Sequence, residues 1–300
     1  MEASVGNTDE DLSHWNPFHT TNWPRSIAHP DQYAEHDENA DRLAVSWDLG
    51  AISEGDKKKV IKQWCARLPE LQKLRWLNLW SQVTPSVFEA ACQIHGLECL
   101  VIKWSNIKRL DAISNLHRLK YLYIGSSTRV ESIEPLTALV SLRRLDIENF
   151  KLVSDFSPLT TMTWLESLAI AGSMWSRQKV DSLEPLSQMT WLKSLAVDTS
   201  HVKSLRPLAH LTSLESLDVG GRLPMEEYAW LSARLPGTEC RRFQPYLELA
   251  DSGIGYCKQC KMQSMVMLTG KGKGTVCRHC DTDTVARHEA AFNAVQASAQ

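Results

Sequence analysis

The sequence has almost no net charge, no long apolar run and no secretion signal at its start. The formal net charge is −2 over 300 residues, which gives no global attraction to nucleic acid or to an anionic membrane. No apolar stretch approaches the roughly 20 residues that a membrane-spanning helix needs, and the first residues lack a basic segment followed by an apolar one. We therefore expect a cytoplasmic protein without membrane partners.

Catalytic signatures are also missing. The sequence contains no GxSxG elbow, no HExxH pair and no glycine-rich nucleotide fingerprint, and no thiol adjoins a recognisable base. Acidic residues are spread along the chain rather than paired on neighbouring strands. We expect a protein that is not an enzyme; a ligase-type effector with an unrecognised catalytic end is the remaining enzymatic alternative.

A short apolar phrase recurs through the middle of the chain. It has the form Leu-x-x-Leu-x-(Leu/Ile/Val), and its middle leucines are Leu77, Leu100, Leu122, Leu145, Leu168, Leu195 and Leu217. The steps between them are 23, 22, 23, 23, 27 and 22 residues. A fixed period of this length predicts a solenoid whose repeats stack to bury a common core.

Within one repeat, two apolar spacings follow each other. In the repeat that begins at Leu192, Leu195 and Val197 alternate as in a strand, whereas Leu205, Leu208 and Leu211 recur every third residue. The second spacing predicts a 3₁₀ turn that closes the coil. Proline begins this turn in four repeats, where its fixed φ is favourable. These prolines are Pro135, Pro158, Pro185 and Pro207.

The repeats from Leu74 to Val219 resemble the leucine-rich repeat family, in the short 22-residue class known from internalin-like proteins. The resemblance implies an α/β solenoid: a horseshoe with parallel strands on its concave face and helical end caps. It also implies an inward asparagine three residues after each strand. That column here reads Gln82, Ser105, Ser127, Phe150, Ser173, Ser200 and Arg222, so serines or water must satisfy the inward backbone groups.

Composition divides the chain into five segments. Residues 1–41 form an acidic, histidine-rich arm, residues 42–96 an N-terminal cap with the first repeats, and residues 97–223 the regular repeats. Residues 224–250 form a C-terminal cap with an edge strand near Cys240 to Phe243, and residues 251–300 a zinc-ribbon-like module with a tail helix. Apolar periodicity predicts helices at 56–68, 85–96, 224–235 and 284–295.

Four cysteines have the spacing of a metal site. Cys257-x-x-Cys260 and Cys277-x-x-Cys280 are separated by sixteen residues, which presents four thiolates to one tetrahedral Zn²⁺ and leaves no open catalytic position. The segment resembles a zinc ribbon; a redox pair is the alternative, and His279 is a possible substitute ligand. This use of cysteine favours a reducing compartment. The remaining cysteines, which we expect to be small buried apolar residues, are Cys65, Cys92, Cys99 and Cys240.

The predicted ribbon is basic. No acidic residue lies between Tyr256 and Cys280, and its cations are Lys258, Lys261, Lys271, Lys273 and Arg278. One interpretation is a solvated hairpin tip between the knuckles. The other makes the protein a nucleic-acid-associated adaptor whose ribbon contacts nucleic acid.

A protein partner of unknown identity is the main functional expectation. In this repeat class the variable strand positions face the concave side, and aromatic and arginine residues are enriched at binding hot spots. The candidate patch is Trp76, Trp80, Trp104, Tyr121, Tyr123, Arg143 and Arg144, with Trp175 on the long insertion as a second contact. The alternative is that the acidic N-terminal arm covers these aromatics within the same chain.

Overall fold

The computed structural model of the 300-residue chain forms two compact units, Met1–Glu148 and Asn149–Gln300. It describes residues 23–35, 40–48, 53–173, 176–249 and 254–299. The first 22 residues of the predicted arm and the predicted contact Trp175 therefore lie outside the described residues.

Each repeat contributes one short parallel strand, as predicted. The first unit contains β1 Arg42–Val45, β2 Trp76–Leu79, β3 Cys99–Ile102, β4 Tyr121–Ile124 and β5 Arg144–Glu148, each paired in parallel with the next. The second contains β6 Ser167–Ala171, β7 Ser194–Val197 and β8 Ser216–Val219, likewise paired in chain order. β1 adds a strand before the first copy of the repeat phrase.

The strand register aligns the middle leucines. Leu77, Leu100 and Leu122 are direct partners on neighbouring strands of the first unit and are completely buried. Leu168, Leu195 and Leu217 do the same in the second, with at most 3% exposure. Since one repeat cannot bury this stripe alone, stacking neighbours form the ladder that constitutes the core.

Among the described residues, a 3₁₀ helix at Leu68–Glu70 precedes β2, and five further 3₁₀ helices close the coils behind the strands of the regular repeats, confirming the three-residue spacing. They are Asp111–Asn115, Glu134–Ala138, Ser157–Thr161, Pro185–Gln188 and Arg206–His210. Each buries one central apolar residue, and in the last four a proline occupies the first or second position. The proline lacks an N–H that would in any case have no partner in the first turn.

The α-helices of the described residues lie outside this regular middle. They are α1 Asp31–Glu35, α2 Glu54–Arg67, α3 Pro85–Ala91, α4 Met225–Arg234 and α5 Thr282–Ser298. Ser53 and Thr84 cap α2 and α3 by accepting hydrogen bonds from backbone N–H groups three residues later. α3 ends earlier than its apolar spacing predicts, because Ile94 N–H bonds to the carbonyl of Ala91 in a tighter turn.

The predicted edge strand at Cys240 to Phe243 is wrong. A single parallel bridge joins Glu239 to Ser216, and the N–H of Phe243 then bonds to the carbonyl of Cys240, which turns the chain away from the sheet. After this turn, β9 Tyr246–Glu248, β10 Met265–Leu268 and β11 Thr275–Cys277 form an antiparallel sheet in the order β11-β10-β9. The ribbon sheet thus takes a strand from the segment predicted as the cap.

Polar side chains replace the missing asparagine column in different ways. Ser105 and Ser127 bond to each other at 2.7 Å, and Ser127 donates to the carbonyl of Gly125. At Phe150, the 27-residue repeat supplies Gln178, which is 1% exposed. Its Oε1 accepts from Phe150 N at 2.7 Å, and its Nε2 lies 3.1 Å from Phe150 O and 2.8 Å from Val153 O. The insertion therefore carries an inward hydrogen-bonding group.

Candidate functional site

The four predicted ligands come together. The Sγ atoms of Cys257, Cys260, Cys277 and Cys280 all lie within 4.8 Å of one another. The first two lie in the turn that precedes β10, whereas Cys277 ends β11 and Cys280 lies just before α5. The antiparallel pairing of β10 with β11 brings the second turn next to the first, with Met265 opposite Cys277.

The sulfur spacing fits a metal ion. Cys257 Sγ lies 3.9 Å from Cys280 Sγ, and Cys260 Sγ lies 3.7 Å from Cys277 Sγ. Tetrahedral Zn²⁺ with Zn–S bonds of about 2.3 Å requires sulfur atoms about 3.8 Å apart. A disulfide would require about 2.05 Å, and all four cysteines are free thiols. Four cysteines placed in this way are close enough together to hold one metal ion.

Two tight turns position the sulfur atoms of the four cysteines. Lys261 adopts a left-handed backbone with φ of 60°, and its N–H bonds back to the carbonyl of Cys257 at 3.0 Å. In the second turn, the N–H of Asp281 bonds to the carbonyl of Cys277 at 2.9 Å. The N–H of Cys280 points at Cys277 Sγ, 3.3 Å away. Such donors favour the charged form of a thiol.

The pKa values of two of the four thiols are shifted in opposite directions. The Ser264 hydroxyl, 3.1 Å from Cys277 Sγ, lowers the pKa of Cys277 to about 6. Burial, followed by hydrogen bonds to the neighbouring thiols, raises the pKa of Cys280 to about 12. Several thiolates within van der Waals distance repel one another, so complete deprotonation requires a cation between them. His279 is exposed and does not belong to the group of potential ligands.

The cysteines outside this group have other surroundings. Cys92 and Cys99 are buried, and burial raises the pKa of both thiols. Cys65 and Cys240 are half-buried, with pKa values raised for the same reason. Buried apolar packing is thus confirmed for the first two and partly for the others.

The second candidate region is the face of strands β1 to β5 opposite the leucine core, called here the inner face. Its side chains form two rows across the strands: Arg42, Trp76, Cys99, Tyr121 and Arg144, then Ala44, Asn78, Val101, Tyr123 and Asp146. Trp23, from before β1, joins the buried cluster on this face, and Trp80 packs against it. The rings of Trp23 and Trp76 meet edge to face with centroids 6.0 Å apart.

Both tyrosines of the inner face donate hydrogen bonds to carboxylates. Tyr121 donates its hydroxyl to Asp146 at 2.8 Å, and Tyr123 donates to Glu148 at 2.6 Å. Arg144 lies beside the first pair, 3.2 Å from a carboxylate oxygen of Asp146. Burial and, in second place, the adjacent carboxylate raise the pKa of both tyrosines. The phenols are therefore neutral hydrogen-bond donors at physiological pH.

Comparison with known proteins gives matches among solved structures. No model of a protein family matches the chain, and no curated protein matches it. A leucine-rich repeat protein of Leptospira interrogans aligns with a TM-score of 0.52 at 18% identity, over 72% of this chain and 52% of that one. Internalin C2 of Listeria monocytogenes aligns with a TM-score of 0.44 at 20% identity, over 58% and 71% of the two chains. This protein has the leucine-rich repeat fold. It spans about half the length of the Leptospira protein.

The residues of the predicted patch differ widely in their exposure to solvent. Trp104 is 39% exposed and Arg143 is also exposed, whereas Trp76, Trp80 and Arg144 are half-buried. Tyr121 and Tyr123 are buried, at 0% and 8% exposure. Trp23 and Asn78 also lie on the inner face but are not in the predicted patch: the first lies outside the repeats, and the second is a small polar residue between two core leucines.

The repeats of the second unit present a plainer face. Its strand positions opposite the leucines are small in β6 and β7, namely Ser167, Ala169, Ser194 and Ala196. The cation–ring pairs of this unit lie at its C-terminal cap: Arg206 and Arg234 lie 4.5 and 5.4 Å from the ring centroid of Trp230 on α4. On the strands themselves, large aromatic side chains are thus found in the first unit and small residues in β6 and β7.

The hairpin tip of the ribbon contacts the repeat cap. The N–H of Lys271 bonds to the carbonyl of Leu223 at 2.8 Å. Gly270 has φ of +113°, and a Cβ there would lie 2.8 Å from the backbone N of Met225, so only glycine fits this approach. The side chains of Lys271 and Lys273 are exposed, whereas the backbone of the tip is tied to the start of α4.

Proposed function

We propose that this protein is a non-enzymatic interaction module that binds a protein partner through the inner face of its first unit. The observation that carries the proposal is a set of cation–ring pairs on neighbouring repeats. Arg42 lies 4.3 Å from the ring centroid of Trp76, Lys103 lies 5.1 Å from that of Trp80, and Arg144 lies 5.6 Å from that of Tyr121. Pre-organised aromatic and arginine side chains lose little freedom on binding and dominate interface energetics.

The rim of this face is the accessible part. Trp104 is 39% exposed and donates its indole N–H to the carbonyl of Trp80 at 3.2 Å, so its ring is oriented in advance. We expect Trp104→Ala to weaken capture of the partner by about 2 kcal/mol, a typical hot-spot loss. The control is Ser216→Ala on the exposed face of β8, which should leave capture unchanged. Immobilised full chain and quantitative mass spectrometry of retained proteins measure both; equal retention by all three chains would refute the proposal.

We also propose that the four thiols hold one structural Zn²⁺. With four protein ligands the tetrahedral site is closed, so the ion would organise the ribbon rather than act on a substrate. The free state of all eight cysteines supports a reducing compartment, and we propose the cytoplasm. Zinc bound to four thiolates would supply folding energy to a segment with a small apolar core.

A nucleic-acid adaptor is the second candidate, and one observation favours it. The first metal turn presents an exposed apolar group, Ile254, Tyr256 and Met262, beside the exposed Lys258 and Lys261. An exposed ring next to cations is suited to stacking on unpaired bases. Binding of single-stranded RNA that weakens steeply with salt and is lost in Tyr256→Ala would support this candidate. Retention insensitive to both changes would exclude it.

A further inference from the structure

The ribbon contains a buried hydroxyl in line with its apolar residues. Along β10, Val266 and Leu268 are 0% and 5% exposed and pack with Val285 of α5. Ser264, two residues before Val266, lies on the same side of the chain and is 8% exposed. A buried hydroxyl is costly unless it has a hydrogen-bond partner. The surroundings of Ser264 therefore show what a serine contributes at this position.

The Ser264 hydroxyl lies next to a sulfur atom of the metal site. Its Oγ is 3.1 Å from Cys277 Sγ, 3.8 Å from Cys260 Sγ and 3.5 Å from the carbonyl oxygen of Met262. A hydroxyl bonds to a carbonyl oxygen at about 2.7–2.8 Å, so the contact with Met262 is long. The contact with Cys277 is short for an acceptor as large as sulfur. Since a hydroxyl has a single proton to donate, Cys277 is its best-placed acceptor.

Backbone contacts hold Ser264 between the two metal turns. Its carbonyl accepts a hydrogen bond from the N–H of Arg278 at 2.8 Å, beside the second turn. The preceding residue, Gln263, forms an antiparallel bridge with Tyr256, beside the first turn. None of these contacts involves the side chain of Ser264. A change of this side chain should therefore leave the path of both turns in place.

We infer that Ser264 is a positioning residue of the metal site, whose hydroxyl donates to the sulfur of Cys277 and fixes that ligand for the ion. The inference rests on the proposed zinc site and adds to it a residue that is not a ligand. A thiolate that binds an ion has no proton, so the hydrogen bond then runs from hydroxyl to sulfur. Such a charge-assisted bond orients the sulfur and draws electron density from it. Loss of an outer partner of this kind typically weakens metal affinity about 10–100-fold.

The test compares Ser264→Thr with Ser264→Val in the full chain. Both new side chains are branched at Cβ and have nearly the same shape, so the variants differ chiefly in the hydroxyl. In competition with a chromophoric chelator at one fixed pH, Ser264→Thr should bind Zn²⁺ like the unchanged chain, and Ser264→Val about tenfold more weakly. Ser264→Ala, which adds no bulk, should match Ser264→Val. Thr275→Val, at an exposed position of β11, is the control and should keep the affinity.

A spectroscopic readout separates the hydrogen bond from packing. Co²⁺ bound by thiolates absorbs in the near ultraviolet through charge transfer from sulfur to metal. A hydrogen bond to sulfur raises the energy of this transition, because it stabilises the sulfur electrons. With Co²⁺ in place of Zn²⁺, the band of Ser264→Val should lie at longer wavelength than the bands of the unchanged chain and of Ser264→Thr.

Two results would overturn the inference. They are equal affinities and equal band positions in Ser264→Thr and Ser264→Val, and a loss of affinity in Ser264→Val without any shift of the band, which would assign Ser264 a packing role only. Failure of the proposed zinc site looks different: the unchanged chain itself then binds neither Zn²⁺ nor Co²⁺.

Discussion

The side chain of Gln178 bonds both the backbone N–H and the backbone C=O of Phe150, 28 residues earlier in the chain. The family resemblance implies an asparagine at the position of Phe150, whereas here the backbone groups of Phe150 are satisfied by a side chain of the next repeat. The long repeat step therefore adds a hydrogen-bonding group as well as a loop. Without it, the buried amide and carbonyl groups near Phe150 would lose their partner.

Gln178→Ala should lower the free energy of unfolding by about 3 kcal/mol, because it leaves several buried backbone groups unpaired. Gln188→Ala is the matched control, since Gln188 is exposed at the end of a 3₁₀ helix. Urea unfolding followed by circular dichroism gives both values. Similar small losses in the two variants would mean that water replaces the Gln178 carboxamide.

The leucine ladder makes a separate prediction. Leu145 is completely buried between its partner Leu122 and the core, so Leu145→Ala should destabilise the protein by about 2–5 kcal/mol through the cavity it leaves. Val140→Ala, at a position 57% exposed, should change stability little. A comparable loss at both positions in chemical unfolding would contradict the proposed role of the ladder.

The purified chain should contain about one Zn²⁺, as four thiolates around a single ion require. Cys260→Ser and Cys277→Ser should abolish retention of the metal, whereas Cys65→Ser, at a half-buried cysteine outside the cluster, should preserve it. Elemental analysis of the four proteins after dialysis decides the matter. Zinc in the two ligand variants at the level of the unchanged chain would refute the site.

Metal removal should affect more than the two metal turns. β9 pairs with β10, α5 packs against α4, and Gln296 of α5 donates to Ser232 of α4 at 3.0 Å. A chelator should therefore increase amide hydrogen exchange in β9, β10 and α5 while leaving β2 to β4 protected. Exchange confined to residues 256–282 would show instead that the ribbon sheet persists without the ion.

Alkaline pH should weaken the first unit in a defined window. The raised pKa of Tyr123 means that its phenol stays protonated in the folded chain when an unfolded tyrosine, with a pKa of about 10, has begun to ionise. Its contribution to stability is then complete below pH 10 and declines above it. Urea unfolding at pH 8 and pH 10.5 should show this decline, and Tyr123→Phe should reduce it. If the free energy of unfolding of Tyr123→Phe declines by the same amount, the pH dependence is due to other ionisable groups.

Much of the fold was predictable because the residues that define one repeat lie close together in the sequence. The spacing of leucines within one repeat sets the strand and the 3₁₀ turn, and proline marks the turn from sequence alone. The clustering of Cys257, Cys260, Cys277 and Cys280 was predictable for a similar reason, since the two cysteines of each pair lie within four residues of each other. α3 shows the limit: Val87, Ala91 and Ile94 fit a longer helix, but the chain tightens after Ala91.

The inner face was only partly predictable. Aromatic residues at variable positions marked Trp76 and Tyr123, but burial of the tyrosines depends on carboxylates about one repeat later. The role of Gln178 depends on Phe150 and Val153, which lie 28 and 25 residues before it. Hydrogen-bond partners that lie more than one repeat apart produce no recognisable sequence pattern within a single repeat.

The bridge at Glu239 has a consequence for assembly. Glu239 directs both its N–H and its carbonyl to the outer edge of β8, at Glu215 and Leu217. An uncovered strand edge is a template on which another chain can add its own strand. Glu239 and the guanidinium of Arg242, which donates to the carbonyl of Val219 at 3.0 Å, therefore occupy backbone groups of this edge that an added strand would need.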